Sequence, residues 1–211
     1  MQILEKEGKM PTDTFEKLSE EKKQKIIASA KKEFTRVPLE EVSIKNIVEQ
    51  AEIARGSFYQ YFYSKEDLLL YIVKSQKEQL FLKMKESLKN TKGDIFETFI
   101  ALYDEMAEEC YEQKDGELYC KIFENIKVGE ERIFSMPLAN IQDERFEELY
   151  QLVNLKQLKV KGKEEFILLV KMLHAITRVA LVTYTKAKDK NKVRENYQKQ
   201  LYFLKYGVYQ E

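Results

Sequence analysis

The stretch ARGSFYQYF, residues 54–62, places four aromatic side chains within five positions, together with an arginine, a glycine and a glutamine. On a helix, Ala54, Phe58 and Phe62 fall four residues apart on one stripe, so we predict that they face inward. A plain core helix would explain the phenylalanines, but not tyrosines on a polar side. The other residues are predicted to face outward: Arg55, Gly56, Ser57, Tyr59, Gln60 and Tyr61.

A second short helix is predicted just before this stretch. Ser43 is a suitable N-cap, and apolar side chains follow it at the spacing of one helix face: Ile44, Ile47, Val48 and Ala51. Two short helices joined by a three-residue turn, the second with a polar outer face, are typical of a helix-turn-helix. The second helix of such a motif enters the major groove of DNA, so the pattern predicts a DNA-binding function.

The chemistry of the outward residues suggests how they would contact DNA. Arg55 can bind guanine in a bidentate manner, Gln60 can reach adenine, and Gly56 allows the backbone a close approach. Because the chain has 36 basic and 36 acidic residues, its attraction to DNA is expected to be local. Phosphate oxygens suit three further side chains: Ser43, Tyr59 and Lys65.

Two runs in this region resemble the N-terminal domain of the TetR family of bacterial transcriptional repressors. They are TFEKLSEEKKQKIIASAKKEF at 14–34 and VSIKNIVEQAEIARGSFYQYFYSKEDLLLYI at 42–72, and GSFYQYFYSKEDLL is their most specific part. The C-terminal two-thirds resembles the family only in helix layout and length. The resemblance implies a cytoplasmic homodimer that binds a palindromic operator on double-stranded DNA. It also implies that a small-molecule effector entering the larger domain releases the operator.

The resemblance assigns roles to individual residues by position. Phosphate contacts fall to Ser43, Lys45, Tyr59 and Lys65. By the same resemblance, Arg55 and Gly56 open the recognition helix, and Gln60 and Tyr61 determine the preference for particular DNA sequences.

Two residues depart from the family pattern. Glu52 stands where a glycine is usual in the turn, so we predict a left-handed backbone there, at a cost of about 1 kcal/mol. Ala54 replaces a serine or threonine cap, which costs about 1 kcal/mol of helix stability. We still place Ala54 at the DNA interface.

The spacing of apolar residues along the whole chain predicts an all-α protein, since glycine and proline number only 7 and 3 among 211 residues. A flexible N-terminal extension is predicted at 1–13. It leads into a three-helix helix-turn-helix domain at 14–64 and a larger helical domain for ligand binding and dimerisation at 65–211. One helix over 65–90 is predicted to be shared by both domains. Further helices are predicted at 94–113, 117–127, 143–160, 164–187 and 190–207.

A membrane-spanning segment is not expected. The most apolar run, FILLV, is followed at once by Lys171, so it is too short to cross a bilayer. We therefore predict a soluble, cytoplasmic protein without membrane contact.

The helix predicted at 94–113 carries an apolar face with aromatic rings and soft sulfur atoms. Such a face suits the wall of a ligand cavity, and it equally suits an ordinary core. His174, the one histidine, lies in an apolar helix, where a hydrogen-bonded core residue is the common role. Because neither a second histidine nor a carboxylate accompanies it at metal-ligand spacing, a metal site is not expected. We also predict no cofactor. The candidate effector contacts are Phe99, Tyr103, Met106, Cys110, Phe123 and His174.

The two C-terminal helices are predicted to form the dimer interface. The first is apolar nearly all round, which suits burial against its own domain on one side and a partner chain on the other. Burial within one monomer explains the same pattern, but the resemblance favours a dimer. The second helix offers four residues to this seam: Val193, Tyr197, Leu201 and Leu204.

Two other functions fit parts of the sequence. One is a helical small-molecule-binding protein whose N-terminal unit binds another protein rather than DNA. The other is a helical enzyme that uses His174, but the chain has neither a phosphate-binding glycine loop nor a nucleophile elbow, and we expect no catalytic residues. Binding to a palindromic duplex that depends on Arg55 and Tyr59 would separate the DNA-binding function from both.

Overall fold

The computed structural model describes residues 11–111 and 145–208. All regular structure within these ranges is helical, so the prediction of an all-α protein is confirmed there. Two 3-10 turns, Leu39–Glu41 and Leu155–Gln157, accompany the α-helices. The α-helices are α1 Asp13–Glu16, α2 Glu20–Arg36, α3 Ile44–Gln50, α4 Arg55–Tyr61, α5 Lys65–Asn90, α6 Ile95–Tyr111, α7 Phe146–Tyr150, α8 Gly162–Lys186 and α9 Lys190–Tyr206.

The chain divides into two compact units, and the boundary falls between Ser75 and Gln76. This point lies inside α5, which runs as one helix of 26 residues. The predicted continuous helix over 65–90 is therefore confirmed.

Three serines begin helices of the N-terminal unit, and one of them, Ser43, is the predicted N-cap. Ser19, Ser43 and Ser64 each accept, at Oγ, a hydrogen bond from the backbone N–H three residues further on. Each bond satisfies a donor that the first turn of a helix leaves without an intrahelical partner. The inner faces of the helices pack into one core, in which these side chains are fully buried: Phe15, Ile26, Ile47, Phe58, Phe62 and Leu68.

The start of the ordered unit lies earlier than predicted. Thr12, assigned to the flexible extension, is the N-cap of α1. Its hydroxyl donates to the carbonyl oxygen of Gln60 at 2.6 Å, and its backbone N–H donates to that of Tyr61 at 3.2 Å. These carbonyls end α4, where no intrahelical donor remains for them. Residues 12 and 13 therefore belong to the helical unit, because they complete the end of α4.

The C-terminal unit is organised around α8, which packs against α6 and α9. The rings of Tyr103 on α6 and Tyr197 on α9 stack with their centroids 4.3 Å apart. The Tyr197 hydroxyl donates to the carbonyl oxygen of Phe99 at 3.0 Å and lies 2.9 Å from the hydroxyl of Thr177. These contacts tie three helices together at one point in the core.

The prediction of a single helix over 143–160 is wrong for the described residues. Helix α7 ends at Tyr150, and a 3-10 turn follows. The backbone N–H of Asn154 donates to the carbonyl oxygen of Gly93 at 2.9 Å, so the chain leaves the helix to pair with the α5–α6 connection. The predicted helix at 117–127 lies outside the described residues.

Helix α8 is long and apolar enough to cross a membrane by length and composition alone, contrary to the expectation from the sequence. Its inner face, however, is part of the core of the C-terminal unit, with Phe166, Val170 and Leu173 fully buried. The helix also buries the hydroxyl of Thr177, which hydrogen bonds to α9. A helix at the centre of a folded unit has the same composition as a membrane span, and these contacts are those of a core helix.

The predicted seam on α9 is wrong for two of its four residues. Tyr197 and Leu201 are buried inside their own unit, because Tyr197 hydrogen bonds to α6 and stacks on Tyr103. Val193 and Leu204 are half-buried. Large apolar side chains are instead exposed on α8 and at the end of α9: Leu168, Met172, Val179, Tyr202, Phe203 and Tyr206.

Candidate nucleic-acid interface

Helix α4 has two chemically different faces, as predicted from its aromatic spacing. Phe58 is fully buried, and so is Phe62 directly after the helix. The side chain of Tyr59 is 46% exposed, although it lies next to Phe58 in the chain. The exposed residues at and after the start of the helix are Arg55, Gly56, Tyr59 and Gln60, with Ser57 half-buried beside them. Ala54 is exposed as well, so the prediction that it faces inward with the phenylalanines is wrong.

The outward placement predicted for Tyr61 is wrong. Its side chain is only 4% exposed, and its ring meets that of Phe15 edge to face at 5.9 Å. Phe15 belongs to α1, a helix that was not predicted, and it covers this end of α4. Tyr61 is thus a core residue in this structure and does not lie on the exposed face of α4.

The turn between α3 and α4 has the strained geometry that the sequence predicts. Glu52 has a φ of 54°, in the left-handed region where glycine is favoured. Its carboxylate forms an ion pair with Lys25 of α2 at 2.5 Å. Ala54, the N-cap of α4, makes no side-chain capping bond, as expected for alanine. The motif keeps its shape without either of the two usual local stabilisers.

Two predicted phosphate contacts lie at the beginning of α3. The Ser43 hydroxyl is used as a cap, because it accepts from the N–H of Asn46 at 3.4 Å. The Lys45 ammonium is exposed and lies 3.8 Å from the carboxylate of Glu49. An exposed ion pair of this kind is weak, so the Lys45 side chain can exchange its partner.

A carboxylate that the sequence reading missed holds the connection between α2 and α3. The Glu33 side chain is completely buried and receives two hydrogen bonds from the Arg36 guanidinium, at 2.7 and 2.8 Å. It also accepts from the backbone N–H of Ser43 at 3.0 Å and from the side-chain amide of Asn46 at 3.1 Å. The Glu33–Arg36 spacing is a helical i, i+3 pair, but such pairs are usually on the surface.

The hydrogen bonds to Glu33 outweigh the effect of its burial. Those from Arg36 contribute most, and they hold the pKa of the Glu33 carboxyl at about 2, below its usual 4.5. Since the folded-state pKa is lowered, the stabilisation is present above pH 4.5 and is lost as the pH falls toward 2. Glu33 is therefore ionised at neutral pH.

Replacement of Glu33 by glutamine is expected to reduce the acid sensitivity of the N-terminal unit. Urea unfolding of the wild-type chain should lose stability between pH 5 and pH 2, and part of that loss should be absent in Glu33→Gln. Glu21→Gln, which changes an exposed carboxylate on the same helix, is the matched control. Equal pH profiles for Glu33→Gln and Glu21→Gln would contradict this role for Glu33.

Lys65 is directed toward the protein rather than outward. Its ammonium donates to the backbone carbonyl oxygens of Glu40 at 2.9 Å and of Val42 at 3.2 Å. Both acceptors belong to the connection between α2 and α3. The lysine expected to touch phosphate thus closes that connection from the first turn of α5.

The candidate effector contacts gather in the core of the C-terminal unit. Phe99, Tyr103 and Met106 are buried, and Cys110 is half-buried at the same core. The Tyr103 hydroxyl is enclosed without a hydrogen-bond partner among the described residues, and burial raises its pKa to about 12. Phe123 lies outside the described residues.

His174 lies on α8 and contributes to the same unit. Burial lowers its pKa to about 4, and the charge of Arg178 acts in the same direction. The imidazole is therefore neutral at pH 7. Among residues 11–111 and 145–208, no group of three His, Cys, Asp or Glu side chains is placed to hold a metal ion.

Comparison with known protein families gives two matches along the chain. Residues 26–72 match the family described as bacterial regulatory proteins, tetR family. Residues 94–208 match the family described as tetracyclin repressor-like, C-terminal domain. The second match alone spans more than half of the 211 residues. Among curated proteins, no sequence matches the chain significantly.

Solved structures of similar fold are regulators. A TetR family transcriptional regulator from Chloroflexus aurantiacus aligns over 96% of this chain and 100% of its own, with 21% identity and a TM-score of 0.57. FadR from Bacillus subtilis, solved with stearoyl-CoA, aligns over 88% and 99%, with 17% identity and a TM-score of 0.62. Thermus thermophilus FadR, a repressor solved with lauroyl-CoA, aligns over 89% and 95%, with 17% identity and a TM-score of 0.52. At these identities the likeness is one of fold.

Proposed function

Because this chain belongs to the TetR family of bacterial transcriptional regulators, we propose that it represses transcription by binding a palindromic operator as a homodimer. The observation that carries the proposal is the division of α4. Its phenylalanines are buried, whereas Arg55, Gly56, Tyr59 and Gln60 are exposed on the second helix of the motif. An outer face of this chemistry suits base edges and phosphates in the major groove.

Each exposed residue has a proposed part in the contact. Arg55 binds a guanine in a bidentate manner, and Gln60 contacts a neighbouring adenine. The space beside Gly56 is open, because a Cβ at this position would have no neighbour within 4 Å. The DNA duplex can therefore approach the backbone of α4 at Gly56. Tyr59 and Lys45 hold phosphates and fix the register of the helix.

The exposed apolar surface of the C-terminal unit supports the homodimer. Leu168, Met172 and Val179 are 59%, 47% and 60% exposed, and they follow one another along one face of α8. Aromatic side chains at the end of α9 are exposed as well, among them Tyr202 and Tyr206. Solvent-facing side chains of this size along two helices mark an interaction surface. A second copy of the chain would cover both helices by two-fold symmetry.

Val179→Glu is expected to separate the proposed dimer. Two symmetric copies would each bury a carboxylate without a partner, at about 1–3 kcal/mol per group, so dimerisation should weaken by about 30-fold or more. Sedimentation equilibrium over a concentration series measures this shift. Gln151→Glu adds the same charge at an exposed position elsewhere in the unit and should leave the dimer intact. A wild-type chain that remains monomeric at high micromolar concentration would rule out this interface.

We propose that the effector enters the C-terminal unit near Tyr103. Phe99 and Met106, on the same helix as the tyrosine, are apolar and buried, and a ligand acceptor would satisfy the enclosed Tyr103 hydroxyl. The neutral imidazole of His174 fits the uncharged part of a ligand. Ligand binding would favour dimers whose two recognition helices no longer match half-sites about 34–36 Å apart.

The function is tested by fluorescence anisotropy of the full-length protein on DNA. Duplexes from the intergenic region upstream of its own gene are compared with a scrambled duplex across a salt series. Tight binding to one duplex, weakened by salt, is expected, and equally weak binding to all duplexes would overturn DNA recognition. The first effector probes are stearoyl-CoA and lauroyl-CoA, with CoA alone as the control. If no small molecule tested changes the affinity for the operator, the proposal that a ligand regulates DNA binding is wrong.

A further inference from the structure

The peptide unit between Val42 and Ser43, directly before α3, is held on both sides by charged side chains from other helices. Its carbonyl oxygen accepts a hydrogen bond from the Lys65 ammonium of α5 at 3.2 Å. Its N–H donates to the buried Glu33 carboxylate of α2 at 3.0 Å. Both polar groups of one peptide are therefore fixed by opposite charges that lie 32 positions apart in the chain.

Each of the two charged side chains also forms a hydrogen bond to a second group nearby. Lys65 also donates to the carbonyl oxygen of Glu40 at 2.9 Å, in the 3-10 turn of the connection. Glu33 also accepts from the side chain of Asn46 at 3.1 Å, within the first turn of α3. Hydrogen bonds to ionised groups are shorter and roughly twice as strong as neutral ones. The connection is thus fixed from its 3-10 turn to the first turn of α3.

We propose that Glu33 and Lys65 form a charged clamp on the Val42–Ser43 peptide and act as positioning residues that set α3, and with it the recognition helix, for operator binding. Lys65 then contributes to DNA affinity through the backbone that it holds and not through a phosphate contact. This inference rests on the proposed function for its DNA readout. The clamp itself is a property of the N-terminal unit and can be observed without DNA.

The clamp has a consequence for the geometry of the motif. Helix α3 packs against α2 and α4, and its backbone begins at the clamped peptide. A recognition helix must be placed to within fractions of an ångström for its side chains to reach base edges. The turn that follows α3 lacks its usual glycine and the helix after it lacks a side-chain cap, so local geometry stabilises this motif weakly. Contacts from residues outside the motif therefore supply the stabilisation that the turn and the cap do not.

The test compares Lys65→Met with Lys45→Met in the full-length protein. Methionine keeps the length of the side chain and removes the charge at both positions. For Lys65→Met we expect operator affinity to fall about tenfold or more, with the salt dependence of binding unchanged. For Lys45→Met, at an exposed phosphate contact, a dimer loses two such contacts, so the slope of log affinity against log salt should decrease in magnitude by about two. A decrease of that size for Lys65→Met would overturn the clamp in favour of a phosphate contact, and unchanged affinity would overturn it outright.

A second readout keeps the clamp separate from the function and from a general loss of stability. In wild type the Ser43 amide should be protected from hydrogen exchange, and in Lys65→Met its exchange should accelerate while amides in the middle of α2 keep their protection. Uniform acceleration across the unit would mean that Lys65 stabilises the fold without positioning the motif. If the wild-type protein binds no duplex, the proposed function fails, and the exchange of the Ser43 amide still decides the clamp.

The two sides of the clamp are also expected to depend on each other. Glu33→Gln and Lys65→Met act on one peptide, so their effects on operator affinity should combine to less than the product of the single effects. Full independence of the two substitutions would contradict a shared target.

Discussion

Gly93→Ala is expected to lower the free energy of unfolding of the C-terminal unit by about 3–5 kcal/mol. Gly93 has a φ of 81°, in the left-handed region, so any other residue is strained there. An added Cβ would also lie 2.5 Å from the carbonyl oxygen of Leu152 and 2.6 Å from the backbone nitrogen of Asn154. Backbone atoms cannot rotate away, so the 152–154 segment would have to move and its hydrogen bond to Gly93 would be lost.

Thermal unfolding followed by circular dichroism measures this effect, and a loss of roughly 10 °C or more in Tm is expected. Gly162→Ala is the matched control, because Gly162 also has a positive φ, of 76°, but nothing lies within 4 Å of its added Cβ. It should lose about 1 kcal/mol through backbone strain alone. Equal losses in the two variants would show that close approach at Gly93 contributes nothing.

Arg55→Ala is expected to weaken operator binding by about 2–6 kcal/mol. A bidentate arginine–guanine contact contributes about 1–3 kcal/mol of discrimination, and a dimer on a palindrome would lose two of them. The Arg55 side chain is exposed, so its removal should leave the fold intact. Anisotropy titration of the operator duplex measures the loss, and circular dichroism checks the fold.

The pattern of the loss distinguishes a base contact from a general electrostatic one. Loss of a base contact should relax the preference at one base pair in each half-site and change non-specific binding little. Lys188→Ala removes a positive charge from an exposed position in the C-terminal unit and should leave both affinities unchanged. If Arg55→Ala weakens all duplexes equally, Arg55 contacts phosphate and the assignment to guanine is wrong.

Local features of the helix-turn-helix follow from its sequence. The four-residue spacing places Phe58 and Phe62 in the core while leaving Arg55 exposed, as predicted. The cap at Ser43 and the left-handed Glu52 were predicted as well. Each of these depends on residues within about one helical turn, so a local pattern is sufficient to predict it.

The errors occur where distant segments meet. Helical spacing predicted that Tyr61 faces outward, but its side chain is covered by α1, which lies at the start of the unit in the sequence. Tyr197 was assigned to a partner chain, but its hydroxyl reaches Phe99 on α6. The predicted helix over 143–160 stops early because Asn154 bonds to Gly93. Apolar periodicity shows which face of a helix is buried and does not show which neighbour covers it.

The sequence by itself determined the helical class, the helix-turn-helix and the exposed recognition face, because helix periodicity, capping and turn chemistry act between near neighbours. The tertiary structure decided the roles of the charged residues around that face. The Glu33 side chain, on α2, is buried and bonds to the start of α3. Lys65 donates to backbone carbonyls 23 and 25 residues away in the chain. Glutamate and lysine side chains are usually exposed. Both acceptors of Lys65 and one of the donors to Glu33 are backbone groups, which every residue carries alike, so no side-chain pattern reveals where these contacts will form.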